Sequence, residues 1–179
     1  MIIFFYTILL VIQLLFAAFV IYLCIAFATG APFVPTKSKS TSAMIRLAHI
    51  KTGMTVYDLG AGDGRLLFAA AAKGATAIGI EINPYLVLYI RIRAFFSPYR
   101  AQIRVIWGNL WTTKLQNADR VFIYLIPWRM ETLAKKLSKE LKPGSRIVTN
   151  SFIFPKWHIA ESDRTNHIYV YYNHDSANS

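Results

Sequence analysis

Cysteine is nearly absent from this chain. The one present, Cys24, lies inside an apolar run, so there is no disulfide framework and no thiol metal site. The histidines at 49, 158, 167 and 174 share no metal-ligand spacing, and no metal is expected. Acidic residues are scarce: 9 Asp and Glu stand against 20 Lys and Arg, for a net charge of +11. Charge of either sign is missing from Ile2 to Ala28, where the polar side chains are few (Thr7, Gln13 and the tyrosines). Repeats and low-complexity tracts are missing too. The 179 residues suffice for one domain plus an appendage.

The uncharged run is that appendage. As a helix it would reach about 40 Å, more than the roughly 30 Å of a bilayer's hydrocarbon core. A cleaved signal peptide needs a basic start and a shorter core, although Ala26-Phe27-Ala28 has the form of a cleavage site. A lipoprotein site at Cys24 is disfavoured by bulky Tyr22 and Leu23 before it. A core helix this long would show a polar face. Residues 1–29 are therefore expected to be a transmembrane anchor, with lipid contacts through residues 2–28. Lys37, Lys39, Arg46 and Lys51 follow the span, and no side-chain charge precedes it. The positive-inside rule then places the rest of the chain on the cytoplasmic side, or at a mitochondrial membrane if the source is eukaryotic.

The positive charge lies wholly outside the span. It suits an anionic lipid surface, and it also suits nucleic acid. Arg91, Arg93, Arg100 and Arg104, interleaved with Phe95, Phe96 and Tyr99, fit either partner. The anchor favours lipid.

Residues 30–42 are rich in Pro, Ser and Thr and read as a linker, with Ser42 as cap of a helix over 43–50. From Gly53 onward strands and helices alternate. Strands are expected at 55–59, 76–82, 103–107, 119–125 and 146–152. Helices are expected at 64–73, 84–96 (capped by Asn83, with Pro84 first) and 129–141. Residues 157–172 read as two further strands joined near Asp163-Arg164-Thr165-Asn166. The pattern predicts an α/β, Rossmann-like, doubly wound sheet of seven strands, mostly parallel, with a C-terminal antiparallel hairpin. The folded domain is expected to cover 43–179, with 175–179 fraying.

The strongest local signal is Val56-Tyr-Asp-Leu-Gly-Ala-Gly-Asp-Gly-Arg65. A strand ends, a glycine turn follows, and a helix starts with free backbone N–H groups. Gly60 and Gly62 let backbone approach a ligand. The spacing is G-x-G-x-G, not the G-x-G-x-x-G of dinucleotide sites. Asp63 would repel a pyrophosphate, whereas Asp58 and Asp63 suit a cationic sulfonium; Asp63 also suits a plain helix cap. Glu81 lies 21 residues after Gly60, where a carboxylate can accept from ribose hydroxyls. Asn109, after the third strand, can accept from an adenine amine, with Leu110 against the ring.

Together these residues resemble the seven-strand class I S-adenosylmethionine-dependent methyltransferases, over about Met44 to Tyr172. Asp58 to Arg65 is similar to their first motif, Gly79-Ile-Glu81 to their acidic loop, and Asp119 to Pro127 to their fourth-strand motif. More narrowly, the chain resembles the membrane-anchored protein-lysine methyltransferases of adenine nucleotide translocase and of the ATP synthase c-subunit. That likeness rests on the span, Pro32-Phe-Val-Pro-Thr36, the L-x-P-x-x-M of Leu125 to Met130 and the closing Ile168 to Tyr171. The family commonly has an acid where Asn109 stands, and a proline and apolar residues where Lys37 and Lys39 stand.

The resemblance implies S-adenosylmethionine bound by Asp58, Gly60, Ala61, Gly62, Asp63, Gly64, Glu81, Ile82, Asn109 and Leu110. It implies methyl transfer to a protein lysine, on a membrane-embedded substrate. Tyr124 and Trp128 are the candidate acceptor contacts, Trp128 as one wall of a lysine slot. No His or carboxylate stands in the acceptor loop, so the amine would lose its proton to water before binding. The alternatives are an RNA or small-molecule methyltransferase, a non-catalytic cofactor-binding module, and an NAD-dependent oxidoreductase, which the glycine spacing disfavours.

Overall fold

The computed structural model of the chain describes residues 2–29, 38–125 and 127–173. Pro32 to Thr36, Lys37, Ile126, His174 and the 175–179 tail lie outside the described residues. The chain divides into two compact units, Met1–Val34 and Pro35–Ser179.

The described residues of the first unit form one helix, α1 (Ile2–Thr29). Its 28 residues reach about 42 Å. By length and composition it can cross a membrane, and its side chains from Ile2 to Ile21 are exposed. The Thr7 hydroxyl donates to the Ile3 carbonyl at 2.9 Å, so this polar group is satisfied within the helix.

The second unit opens with α2 (Ser38–Leu47) and continues β1 (Thr55–Leu59), α3 (Arg65–Ala71), β2 (Thr76–Glu81), α4 (Pro84–Phe95) and β3 (Ile103–Trp107). Then come β4 (Arg120–Ile123), a 3-10 turn over Pro127–Arg129, α5 (Met130–Glu140), β5 (Arg146–Asn150), β6 (Glu161–Asp163) and β7 (Ile168–Tyr172). The strands form one seven-stranded sheet in the order β3-β2-β1-β4-β5-β7-β6. The first five run parallel, β7 is antiparallel to β5, and β6 is antiparallel to β7. The strand order reverses between β1 and β4, the switch point where open α/β sheets hold ligands.

Both faces of the central strands β1, β2, β4 and β5 are covered, so their side chains are mostly buried on either side. In β4, Phe122 faces the core beneath α2, α3 and α4, while Val121 and Ile123 face the core beneath α5. Local chemistry sets the helix ends. Asn83 Oδ1 accepts from the Tyr85 amide at 2.9 Å, and Pro84 occupies the first turn.

Most boundaries shift by one or two residues, and two of the departures from what the sequence predicts have a visible cause. α2 begins at Ser38 rather than Ala43, so Ser42 lies inside it and is not its cap. Residues 38–42 contain no Pro or Gly to stop the helix growing back from the turn that buries Ala43 and Met44. It ends at Leu47, three residues short of Ile50, as His49 takes a positive φ of 47°. Its last carbonyls meet two guanidinium groups from the sheet. Arg120 Nε donates to Ala48 O at 2.6 Å, and Arg146 Nε donates to Leu47 O at 2.7 Å. Cations at a helix C-terminus are favourable there. β5, in turn, stops at Asn150 and not at Phe152, because Ser151 adopts a positive φ of 68° that breaks the ladder.

Gly79 in β2 supports the site directly. A Cβ there would lie 2.6 Å from Leu67 Cδ1 and 2.8 Å from Ala61 Cβ. Leu67 can turn away, but Ala61 belongs to the glycine turn. Gly79→Ala is therefore expected to lower stability by about 1–3 kcal/mol through overpacking and to displace that turn. A thermal melt alongside a cofactor titration checks both effects; unchanged melting and binding would contradict the contact.

Candidate active site

The carboxyl ends of the five parallel strands meet along one sheet edge. The glycine turn after β1 is fixed to β2 by backbone bonds: Gly60 and Ala61 both donate to Ile80 O, at 2.9 and 3.0 Å. Gly60, Gly62 and Gly64 all have positive φ, at 86°, 58° and 77°, a conformation that L side chains rarely adopt. A Cβ at Gly60 would meet nothing within 4 Å, so the turn presents bare backbone to open space.

Glu81 closes the turn. Its carboxylate is buried and accepts from the Gly62 amide at 2.8 Å and from the Asn83 amide at 2.9 Å. The sequence suggests a hydroxyl acceptor, and the structure adds a clamp between the turn and the start of α4. Each carboxylate oxygen keeps a second lone pair for a ligand hydroxyl.

Asp58, also buried, stands at the end of β1. Burial holds its carboxyl well above the usual carboxylate range, and the charges of Glu81 and Asp63 add to the effect. Asp63 behaves oppositely. Its side-chain hydrogen bonds with Arg65, at 2.9 and 2.5 Å, hold it below the usual range despite partial burial. It also accepts from the Arg65 amide at 3.1 Å. Asp63 is thus a helix-start acid neutralised by its neighbour, and Asp58 and Glu81 remain as the buried acids of the site.

Arg93 donates to Asp63 O at 2.9 Å, and its guanidinium lies 4.2 Å from the Phe68 ring centroid. That arrangement fastens α4 to the glycine turn. It separates Arg93 from the surface arginines with which the sequence groups it.

The loop after β3 joins the same edge, as Gly108 donates to Glu81 O at 3.0 Å. Asn109 Oδ1 accepts from the Trp111 amide at 3.0 Å, a local turn bond. Leu110 is buried in the core with Leu59 and Ile80. Ile82, just past β2, is exposed where Leu110 is not.

Tyr124, just past β4, is half-buried and stacks on Phe152 with centroids 6.5 Å apart and an interplanar angle of 22°. Phe152 follows the strained Ser151, and buried Asn150 ends β5 beside them. The sequence alone does not single out the segment 150–152. A polar residue ending a buried strand beside the switch point is the signal that would have found it. Trp128 is 65% exposed on the 3-10 turn. The structure therefore gathers Asp58, the glycine turn, Glu81, Ile82 and Asn109 at β1, β2 and β3, and places Tyr124 beyond them at β4. Among the described residues, no group of three His, Cys, Asp or Glu could hold a metal ion.

The topology and the site define the seven-strand α/β methyltransferase class. The chain is similar to the crystal structure of an RNA methyltransferase from Salinibacter ruber in complex with S-adenosyl-L-homocysteine. The TM-score is 0.76 at 29% identity, over 80% of this chain and 95% of that one. A family model described as the ANTKMT methyltransferase domain matches residues 58–161, and the chain belongs to that family. It is 38% identical over 126 residues to the ATP synthase c-subunit lysine N-methyltransferase of Mus musculus, covering 70% of this chain and 51% of that protein. It is 31% identical over 138 residues to a protein-lysine N-methyltransferase of Saccharolobus islandicus, covering 76% of this chain and 86% of that protein. The chain spans about half the length of the first mammalian relatives, 51% and 54%.

Proposed function

We propose that this protein is a membrane-anchored methyltransferase that uses S-adenosylmethionine to methylate a lysine of a membrane protein. One observation carries the cofactor assignment: two buried acids, Asp58 and Glu81, flank an open glycine turn whose third acid is already neutralised by Arg65. A cationic group bound there would favour the ionised form of Asp58, which a pyrophosphate would not. In this reading Glu81 holds the ribose hydroxyls, Asp58 balances positive charge, and Ile82 and Asn109 frame the adenine.

S-adenosylmethionine would supply the reactive methyl group, which leaves this chain to position the acceptor and exclude water. The stacked Tyr124 and Phe152 are suited to one wall of an acceptor slot, and the exposed Trp128 to its mouth. The slot needs no strong base if the amine arrives already neutral. Lysine as acceptor is supported by the family and by relatives named as lysine methyltransferases. The membrane anchor is supported by α1. A second reading, an RNA acceptor, is favoured by the Salinibacter ruber enzyme, but the 38% identical relative carries a lysine name.

The cofactor assignment has a proton signature. Burial raises the Asp58 pKa, so the free protein keeps this carboxyl neutral to higher pH than an ordinary aspartate. A cation bound beside it favours ionisation. Binding is therefore expected to release a proton and to tighten as pH rises through the window above the usual carboxylate range. Calorimetry in buffers of different ionisation enthalpy reads this directly. Asp58→Asn should abolish the linkage, and proton uptake on binding would contradict it. NAD should not compete for the site.

A further inference from the structure

The outer face of α4 does not match that of the other long helix on the sheet. α5 shows solvent Glu131, Thr132, Lys135 and Lys139, an ordinary charged face. α4 shows Tyr85, Leu88, Tyr89, Ile92, Phe95 and Phe96, at 81%, 57%, 47%, 52%, 65% and 79% exposure. The spacing is helical, so these residues form one stripe down the side opposite buried Val87, Ile90 and Ala94. The stripe continues onto the edge strand. Trp107 is 65% exposed, and its Nε1 donates to Ile82 O at 3.0 Å, just ahead of α4. A contiguous apolar surface of this kind is uncommon on a soluble monomer and marks a docking site.

The charge around the stripe is of one sign. From Ile82 to Ala118 there is no Asp or Glu, against five Lys and Arg. Arg93 is taken up by the glycine turn, whereas Arg91, Arg100 and Arg104 are exposed. A helix with an apolar outer face, aromatic residues and flanking arginines has the composition of one that lies in the plane of an anionic bilayer surface. Leu88 and Ile92 at the centre of the stripe are aliphatic and give no stacking platform for nucleic acid bases.

We infer that the outer face of α4, with Trp107, docks on an anionic lipid surface, through apolar side chains in the interface and Arg91 and Arg100 toward lipid headgroups. The inference rests on the membrane reading of α1. It adds a second attachment, made by the folded domain itself. α4 begins at Pro84, three residues after Glu81, so docking brings the start of that helix, beside the proposed cofactor site, to the membrane surface.

The test uses the full chain in vesicles with a quencher on the acyl chains and an environment-sensitive label on a single cysteine. The native Cys24 reports α1. In a Cys24→Ser background, Leu88→Cys and Ile92→Cys report the stripe, and Lys135→Cys reports the opposite side of the sheet. In phosphatidylglycerol vesicles, labels at 24, 88 and 92 are expected to lose most of their fluorescence, while the label at 135 stays bright. In purely phosphatidylcholine vesicles, or with Arg91→Glu and Arg100→Glu together, quenching at 88 and 92 should fall severalfold and quenching at 24 should persist. Bright labels at 88 and 92 beside a quenched label at 24 would overturn the inference and leave the anchor standing. A bright label at 24 would overturn the anchor. Shielding at 88 and 92 that appears without lipid and grows with protein concentration, or that appears only on adding RNA, would assign the face to a second copy or to RNA and overturn lipid docking.

Discussion

Glu81→Ala is expected to weaken S-adenosylmethionine binding by at least about a hundredfold, since each hydrogen bond to a charged group contributes about 1.5–3 kcal/mol. The change removes the acceptor for ligand hydroxyls. It also frees the Gly62 and Asn83 amides that the carboxylate now holds at 2.8 and 2.9 Å. Both consequences fall on the same turn, so methyl transfer should vanish with binding. Calorimetry gives the affinity, and circular dichroism shows whether the sheet is retained. Glu81→Gln separates the two roles. Its amide oxygen can still hold one of the two backbone groups, so the fold should be nearer native while affinity stays low. Near-native affinity in both variants would remove Glu81 from the cofactor site.

Deleting residues 1–34 is expected to leave cofactor affinity within about twofold and to cut transfer to a membrane-embedded acceptor by about 10²–10⁴, the usual gain from tethering. The second unit carries its own core on both faces of the sheet, which is why binding should survive. The protein should leave the integral membrane fraction at the same time. Sedimentation after an alkaline wash measures the partition, and a labelled-cofactor assay on isolated membranes measures the transfer. Full activity of the shortened chain on those membranes would show that anchoring plays no part in reaching the acceptor.

The fold was legible because its signals are local. Alternating strands and helices, Asn83-Pro84 and the glycine turn each act within a few residues, whereas the strand order, with its reversal between β1 and β4, is not written in those local signals. The placement of Asp58, the glycine turn and Glu81 at the ends of β1 and β2 was legible for the same reason. What stayed hidden depends on partners distant in sequence or on side-chain competition. Asp63 looks like a ligand acid until Arg65 is seen folded back upon it. Arg93 looks like a surface charge until it reaches Asp63 O, 30 residues away. Arg120 and Arg146 serve the end of α2 across 72 and 99 residues of chain. The surroundings of Tyr124 were the least legible part. Phe152 stacks on Tyr124 only because Ser151 breaks β5 with a left-handed turn, and nothing in a Ser announces that conformation.

The measurement that bears most directly on the central claim is methyl transfer from labelled S-adenosylmethionine by the full chain mixed with membranes of its host, with Glu81→Ala as the control. Protein, RNA and lipid fractions are counted separately, and labelled protein is hydrolysed to amino acids. The expected result is label in a membrane protein, recovered as methyl-lysine and absent with the variant. Label in RNA or lipid, or in a residue other than lysine, would contradict it.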